Sequence, residues 1–402
     1  SLSGGQLHYR SSKLTTYGDN RHDVSVFASQ PQSAFGHNEF LGTGGSLYYL
    51  KDTNVVIGSE KVWVEVRDRD SDRVIERLTL ERGRDYEVDE LQGRLILTRP
   101  LAQVVDQLDP SLIKDDPLDG NRALLLVDYE YVPLGFDPKD ASFGARASTW
   151  VGDKLRLGAT HVTEGRRETD YQMSEADVVL RGGKGTFLKL EYAQTDETQT
   201  ANSFGSTDGG LTFSQPFTSP ASAARSADAI SVEGRINLAE MTDGKHDGAL
   251  GAWWREREAG FSTARLHTDA TTTEYGAEAR WRVGEHVTLS ARGASTEIDG
   301  LTDQRFISLQ GDYRTKGRWT VASELRRVEE QPELGDSTTA TLGAVKLGYN
   351  VKTHTQIYGI AQSTLSHDDG YRSNDLFTVG VRSKVGDAWG LRGELSSGDR
   401  GF

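Results

Sequence analysis

From about residue 141 to the end of the chain one pattern recurs. An alternating segment of eleven to thirteen residues leads to a tight turn, a second such segment, and then a longer polar loop. A clear copy is Glu274-Tyr-Gly-Ala-Glu-Ala-Arg-Trp-Arg-Val283, the turn Gly284-Glu285, and His286-Val-Thr-Leu-Ser-Ala-Arg-Gly293. Successive side chains of a strand point to opposite faces. One face therefore collects Tyr275, Ala277, Ala279, Trp281 and Val283, and the other Glu274, Gly276, Glu278, Arg280 and Arg282. An apolar ribbon backed by a charged one, at this length, predicts a transmembrane antiparallel β-barrel with lipid outside and water inside.

Composition narrows the alternatives. Hydrophobic residues make up 36% of the 402, and nowhere do eighteen apolar residues run together, so a helical membrane protein is excluded. A barrel escapes that test because every second residue of its strands faces water. Cysteine is absent, which fits outer-membrane life without disulfides and excludes thiol catalysis. The net charge of -14, with no Lys/Arg block, argues against a nucleic-acid partner.

Residues 1–135 read differently, as a compact all-β module resembling a small sandwich, expected to plug the barrel or to lie in the periplasm or outside the cell. Its strands are placed at 24–28, 46–50, 61–67, 73–80, 94–98 and 123–132, with a long polar loop at 106–121. Residues 136–402 read as the barrel region, with about fourteen strands at 142–150, 153–164, 170–181, 185–196, 228–238, 247–257, 272–283, 286–297, 304–314, 317–329, 338–349, 353–366, 374–385 and 388–398. The connections alternate. Short turns near residues 151, 183, 284, 315, 351 and 386 and one near 239–246 are interleaved with longer loops, the longest being 197–227 with Phe204, Phe213 and Phe217. That loop is expected to constrict the lumen, to face outward as a recognition surface, or to be disordered. Outer-membrane barrels show this asymmetry, with short periplasmic turns and long outer loops.

Two sets of residues follow from the layout. Trp150, Phe187, Trp281, Tyr313, Trp319, Tyr349 and Trp389 lie within a few residues of the short turns, where an interfacial aromatic girdle is expected. Arg156, Glu233, Arg235, Glu278, Arg280, Arg292, Glu324, Arg326, Arg382, Arg392 and Glu394 are expected to line a hydrated lumen. The third strand breaks the pattern, because Glu175 and Asp177 share a face with Tyr171 and Met173. Fourteen strands beginning with a descending one leave the last strand ending outside. The expectation is therefore that the barrel continues in further sequence or another chain, with 122–132 a candidate additional strand.

Short motifs carry a resemblance. Leu41-Gly-Thr-Gly-Gly-Ser-Leu-Tyr-Tyr-Leu50, Gly83-Arg-Asp-Tyr-Glu-Val-Asp89 and Gly93-Arg-Leu-Ile-Leu97 resemble modules of large Gram-negative outer-membrane proteins. Trp253-Trp-Arg-Glu-Arg-Glu-Ala-Gly-Phe261 and Tyr275-Gly-Ala-Glu278 resemble the barrels of the same proteins. The Gly-x-Asp-Tyr and Gly-Arg-Leu elements are also similar to the SprA-type translocon barrel of gliding bacteria. The resemblance implies location and architecture and brings no catalytic residue.

Candidate chemistry is sparse. Asp68, Asp70 and Asp72 have the alternate spacing of an oxygen-rich Ca²⁺ loop, but the bending Gly and the distal Glu are missing, and a hairpin turn explains them better. Arg181-Gly-Gly-Lys-Gly-Thr186 lacks phosphate-loop spacing, and no nucleophile–base motif occurs. The expected function is non-enzymatic: an outer-membrane channel, translocation conduit or surface-assembly scaffold, with no resident cofactor. Its partners would be outer-membrane lipid and lipopolysaccharide, other envelope proteins, or a segment completing the barrel. The alternative is a soluble or surface-displayed β-rich adhesin.

Overall fold

The computed structural model describes residues 3–30, 32–105, 111–115, 119–133, 141–165, 170–196, 203–214, 226–266, 268–385 and 389–399. The fold is all-β, with one short helix among the described residues, α1 (Leu238–Met241), in a turn. Among the described residues no helix is long and apolar enough to cross a membrane.

Two strands open the chain, β1 (Ser3–Arg10) and β2 (His22–Gln30). Eight more follow: β3 (Ala34–Leu41), β4 (Leu47–Tyr49), β5 (Lys61–Arg67), β6 (Val74–Thr79), β7 (Tyr86–Asp89), β8 (Arg94–Leu97), β9 (Val104–Val105) and β10 (Asn121–Tyr131). Then come β11 (Ser142–Val151), β12 (Leu155–Glu164), β13 (Tyr171–Arg181), β14 (Phe187–Asp196) and the short β15 (Ser203–Ser206). The remainder are β16 (Ala227–Asn237), β17 (Asp247–Arg257), β18 (Thr272–Val283), β19 (Val287–Ile298), β20 (Thr302–Arg314), β21 (Trp319–Pro332), β22 (Thr338–Lys352), β23 (Thr355–His367), β24 (Leu376–Val385) and β25 (Trp389–Gly398).

Sixteen strands form one sheet in the order β1-β2-β11-β12-β13-β14-β16-β17-β18-β19-β20-β21-β22-β23-β24-β25. All fourteen strands expected after residue 141 are present in it. Among the described residues no ladder joins β1 to β25, so each pairs on one side only. Tight turns close the short connections, helped by Gly152 (φ 64°) and Gly284 (φ 63°), whose left-handed backbone favours a residue without Cβ.

The N-terminal region is organised differently from the expectation of a self-contained module over 1–135. β1 and β2 belong to the large sheet, with β2 antiparallel to β11 from Ser29↔Ser142 to His22↔Thr149. The sandwich is thus an insertion between β2 and β11, entered and left at the end of β11 away from its short turn. The segment 122–132 is a central strand of this insertion and contributes nothing to the large sheet.

By contacts the chain divides into two compact units, 1–108 with 121–232 and 255–272, and 109–120 with 233–254 and 273–402. In the first, the sheet β15-β3-β10-β5-β6 faces the sheet β4-β8-β7. Phe40, Tyr48, Leu95, Leu125, Val127 and Tyr129 form its dry core. The long loop turns to this insertion: β15 pairs parallel to β3, Phe213 packs on Phe40 and Phe204, and Lys51 sits 3.2 Å from the Phe204 ring centre. Phe217 lies outside the described residues.

Candidate site: the charged face of the large sheet

Alternation puts the sheet's apolar and charged side chains on opposite faces, and exposure then separates those faces in an unusual sense. On β20 and β21 the apolar side chains Ile307, Leu309, Val321 and Leu325 are exposed, Leu309 by 53%. The opposite side of β21 carries Glu324 and Arg326, exposed by only 4% and 5%. The same inversion holds on β22 and β23, where Val345, Leu347 and Ile357 are open while Gln362 is buried. It recurs in the first unit, where Leu7, Tyr9, Leu157, Leu188 and Leu190 are exposed and Asp177 is buried.

Ion pairs hold the buried charges. In the first unit Asp177 accepts from Arg146 at 2.9 Å and from Arg156 at 2.7 Å, and Arg146 also reaches Glu175 at 3.0 Å. This removes the irregularity of the third strand. Gly158 on the charged face of β12 stands opposite Asp177, so Glu175 and Asp177 share that face with Arg156, and Val178 and Leu180 take the apolar one. Tyr171 is buried at the far end of β13, its hydroxyl donating to the Ser262 carbonyl at 2.8 Å.

The other expected lumen residues also fall on the charged face by alternation. Glu233 and Arg235 alternate with Ile230, Val232 and Ile236 on β16. Glu278 and Arg280 alternate with Ala277, Ala279 and Trp281 on β18, and Glu278 lies over Gly251. Arg292 and Arg326 stack on Phe306, at 5.8 and 5.2 Å from its ring centre. Arg382 pairs across to Arg392, and Arg392 donates to Glu394 at 2.8 Å.

The aromatic set divides. Trp281, Tyr313 and Trp319 are exposed on the apolar face, and Tyr349 lies beside Trp319 with ring centres 4.9 Å apart. Two do not belong there. Trp150 is buried on the charged face under the Arg181 guanidinium, 4.7 Å away, and Phe187 shares that face with Lys189 and Glu191. Position near a turn says nothing about face; parity along the strand does. The Trp389 side chain lies outside the described residues.

The acidic triplet is engaged by its own hairpin turn and by β10. Asp68 accepts from the Asp70 and Ser71 amides at 3.1 and 2.9 Å, and Arg122 donates to Asp72 at 2.5 Å. Among the described residues no group of three or more His, Cys, Asp or Glu is arranged to hold a metal ion.

One feature of the charged face had only a faint sequence signal. Residues 111–115, within the polar loop before β10, lie on it in the second unit. Leu112 and Ile113 pack with Ala322, Ala340, Leu342, Ala344 and Ile360, an apolar patch on an otherwise polar surface. Glu324 accepts from the Leu112 amide at 2.5 Å, the Ile113 amide at 3.3 Å and the Ser111 hydroxyl at 2.9 Å, with Ser308 donating at 2.7 Å. Gln362 clasps Lys114 through its backbone N–H (2.9 Å) and C=O (3.0 Å), and Asn374 donates to the same carbonyl at 2.7 Å. The Lys114 ammonium reaches Glu394 at 2.7 Å, a carboxylate that Tyr358 also donates to. The signal was an isolated Leu-Ile pair inside an acidic loop.

A second cluster sits in the insertion. His37, fully buried, contacts Asp128 through Nδ1 at 2.6 Å and Glu39 through Nε2 at 3.4 Å. Asp128 also accepts from Arg265, in the loop after β17, whose guanidinium covers Trp63 at 4.9 Å. Burial alone would lower the His37 pKa, but the bonds to Asp128 and Glu39 outweigh it and raise it. Comparison with known protein families and with curated proteins finds no match for this chain.

Proposed function

We propose that the protein is a non-enzymatic β-barrel of a bacterial outer membrane, serving as a conduit or assembly scaffold across it. The carrying observation is the apolar face of the large sheet, whose Leu309, Leu325, Val345 and Trp319 side chains are exposed, while the opposite face carries charges, some buried and paired like Asp177 and others open like Arg280 and Arg382. In water such a face costs roughly 25 cal/mol per Å² of exposed apolar area, whereas hydrocarbon tails would cover it at no such cost.

Strand parity supports closure. β1 and β25 both meet the long-loop end of the sheet and run in opposite directions, so a ladder between them would close sixteen antiparallel strands without an edge. A cylinder of that strand number has a wide aqueous lumen, which the charged face would line. Trp281, Tyr313, Trp319 and Tyr349 near the short turns fit the interfacial belt of such a protein. With short turns in the periplasm, the inserted sandwich would project on the outer side, bound by loops 203–214 and 258–266.

Purification tests this reading directly. The expected result is that the protein needs detergent to stay monodisperse, migrates faster unheated than boiled, and conducts ions in a planar bilayer. Cooperative folding as a monodisperse species in plain buffer would instead support the soluble adhesin.

A further inference from the structure

We propose that the charged face between β20 and β25 is a binding site for polypeptide segments of the pattern hydroxyl–apolar–apolar–lysine. Ser111–Lys114 fills it in cis, and a like segment of another chain can take its place. The inference goes beyond the conduit reading and stands on the geometry of the second unit alone.

Three features make this a receptor and not ordinary loop packing. The first is that side chains of the sheet hold main-chain groups of the segment: Glu324 the amides of Leu112 and Ile113, Gln362 both polar groups of Lys114, and Asn374 its carbonyl. Contacts of that kind are the sequence-tolerant part of peptide recognition. The second is a pair of sockets that add selectivity. An apolar cup of Ala322, Ala340, Leu342, Ala344 and Ile360 takes the Leu-Ile pair, and Glu394 takes the ammonium. The third is the state of Glu324, a buried carboxylate to which the segment supplies three of the four donors described. Emptying the site would strip those donors from Glu324 and leave water to replace them, so the segment's amides compete with solvent for the carboxylate and another donor-bearing segment can take their place.

The absence of cysteine from the chain makes the test clean. In the full-length protein carrying Ile113→Cys, maleimide labelling reports when the segment leaves its cup. An end-blocked peptide with the sequence of residues 109–115 should accelerate labelling about tenfold, and the same peptide N-methylated at its Leu and Ile amides should fail to do so. In parallel, fluorescence anisotropy follows a fluorescein-labelled copy of the peptide on a Leu112→Ser/Ile113→Ser variant, whose own segment holds the cup weakly. Binding there should be about tenfold tighter than to wild type and should weaken again by about tenfold on adding Glu324→Gln.

Labelling indifferent to the peptide together with no binding to the weakened variant overturns the proposal. So does equal action of the N-methylated peptide, because the amides would then be irrelevant. Membrane insertion is scored separately by heat-modifiable migration. Peptide binding by a chain that does not insert would remove the conduit and leave the site, while insertion without peptide binding would do the reverse.

Discussion

The inserted sandwich and the large sheet are built from the same two-residue period, and they treat their apolar faces in opposite ways. In the sandwich Phe40, Tyr48, Leu125 and Val127 are sealed between two layers, as in any water-soluble β protein. In the sheet Leu309, Leu325, Val345 and Leu347 are open, while Asp177, Glu324 and Gln362 are buried. Both regions contain the same aromatic-on-glycine joint. The ring of Tyr129 lies over Gly36 in the sandwich, and the ring of Tyr358 lies over Gly380 in the sheet. Alternation therefore dictates that a segment has two faces, and the solvent on each side decides which of them is inside.

The largest expected effect comes from making one chemical change in both regions. Leu125→Ala should cost about 2–5 kcal/mol, from lost transfer free energy plus the cavity left in a core that cannot collapse. Leu309→Ala removes the same atoms from a side chain that no protein layer seals and leaves no cavity, so its cost, with both variants in the same detergent, should be a small fraction of that. Urea titration of both variants measures the difference. Equal costs would mean that Leu309 is covered by protein, and the contrast between the regions would disappear.

A bilayer sharpens the contrast next. Leu325→Arg places a guanidinium on the apolar face near mid-strand, and at a membrane midplane it should destabilise folding by about 2–4 kcal/mol. Folding into lipid vesicles, followed by heat-modifiable migration, should fall steeply for this variant. Arg at Leu78, an exposed position on β6 of the sandwich, should leave vesicle folding unchanged.

The paired glycines give a smaller effect. A Cβ at Gly380 would stand 2.4 Å from the Tyr358 ring, and one at Gly36 would stand 2.6 Å from that of Tyr129. Neither ring can swing away freely. Tyr129 donates to Asn38 at 3.0 Å and to Asp52 at 2.8 Å, and Tyr358 donates to Glu394. Each Gly→Ala should cost about 1–3 kcal/mol by overpacking. Gly380→Ala should alter vesicle folding, whereas Gly36→Ala should leave it unchanged and lower the urea midpoint of the sandwich in detergent solution.

What could be read from the residues follows the same division. The strands after residue 141 were legible because each carries its own two-sided code, and Gly284 or Gly152 marks the turn between neighbours. β1 and β2 were harder. His22–Gln30 alternates over only a few residues, and its partner β11 lies more than a hundred positions away, across the whole insertion. Trp150 lies beside a short turn yet on the face of Arg146, because parity along β11, and not closeness to the turn, sets the side it takes. The grip on Ser111–Lys114 joins residues more than two hundred positions apart, and local pattern holds no record of such a contact. The pairing of His37 with Asp128 was hidden for the same reason.

That pair gives the mildest prediction and confines it to the sandwich. Glu39 is held down at about 2: burial would raise its pKa, but hydrogen bonds from His37 and Arg67 prevail. Asp128 is also lowered, with burial opposing and His37 and Arg265 prevailing, whereas His37 is raised above its ordinary 6.5. The signs then follow by linkage. The raised His37 contributes stability that is fully present below its unfolded pKa and is lost as pH climbs through the folded value. The depressed carboxylates contribute stability present above their ordinary range and lost as pH falls through their folded values. The urea midpoint of the full chain, followed by tryptophan fluorescence, should therefore decline as pH rises above the ordinary imidazole range and decline separately in strong acid. His37→Gln should flatten the alkaline limb and leave most of the acid limb, because Arg67 still holds Glu39 with two bonds of 2.9 and 3.1 Å. An alkaline limb unchanged in His37→Gln would mean that the imidazole titrates identically in the folded and unfolded chain, and that its contact with Asp128 adds nothing dependent on charge.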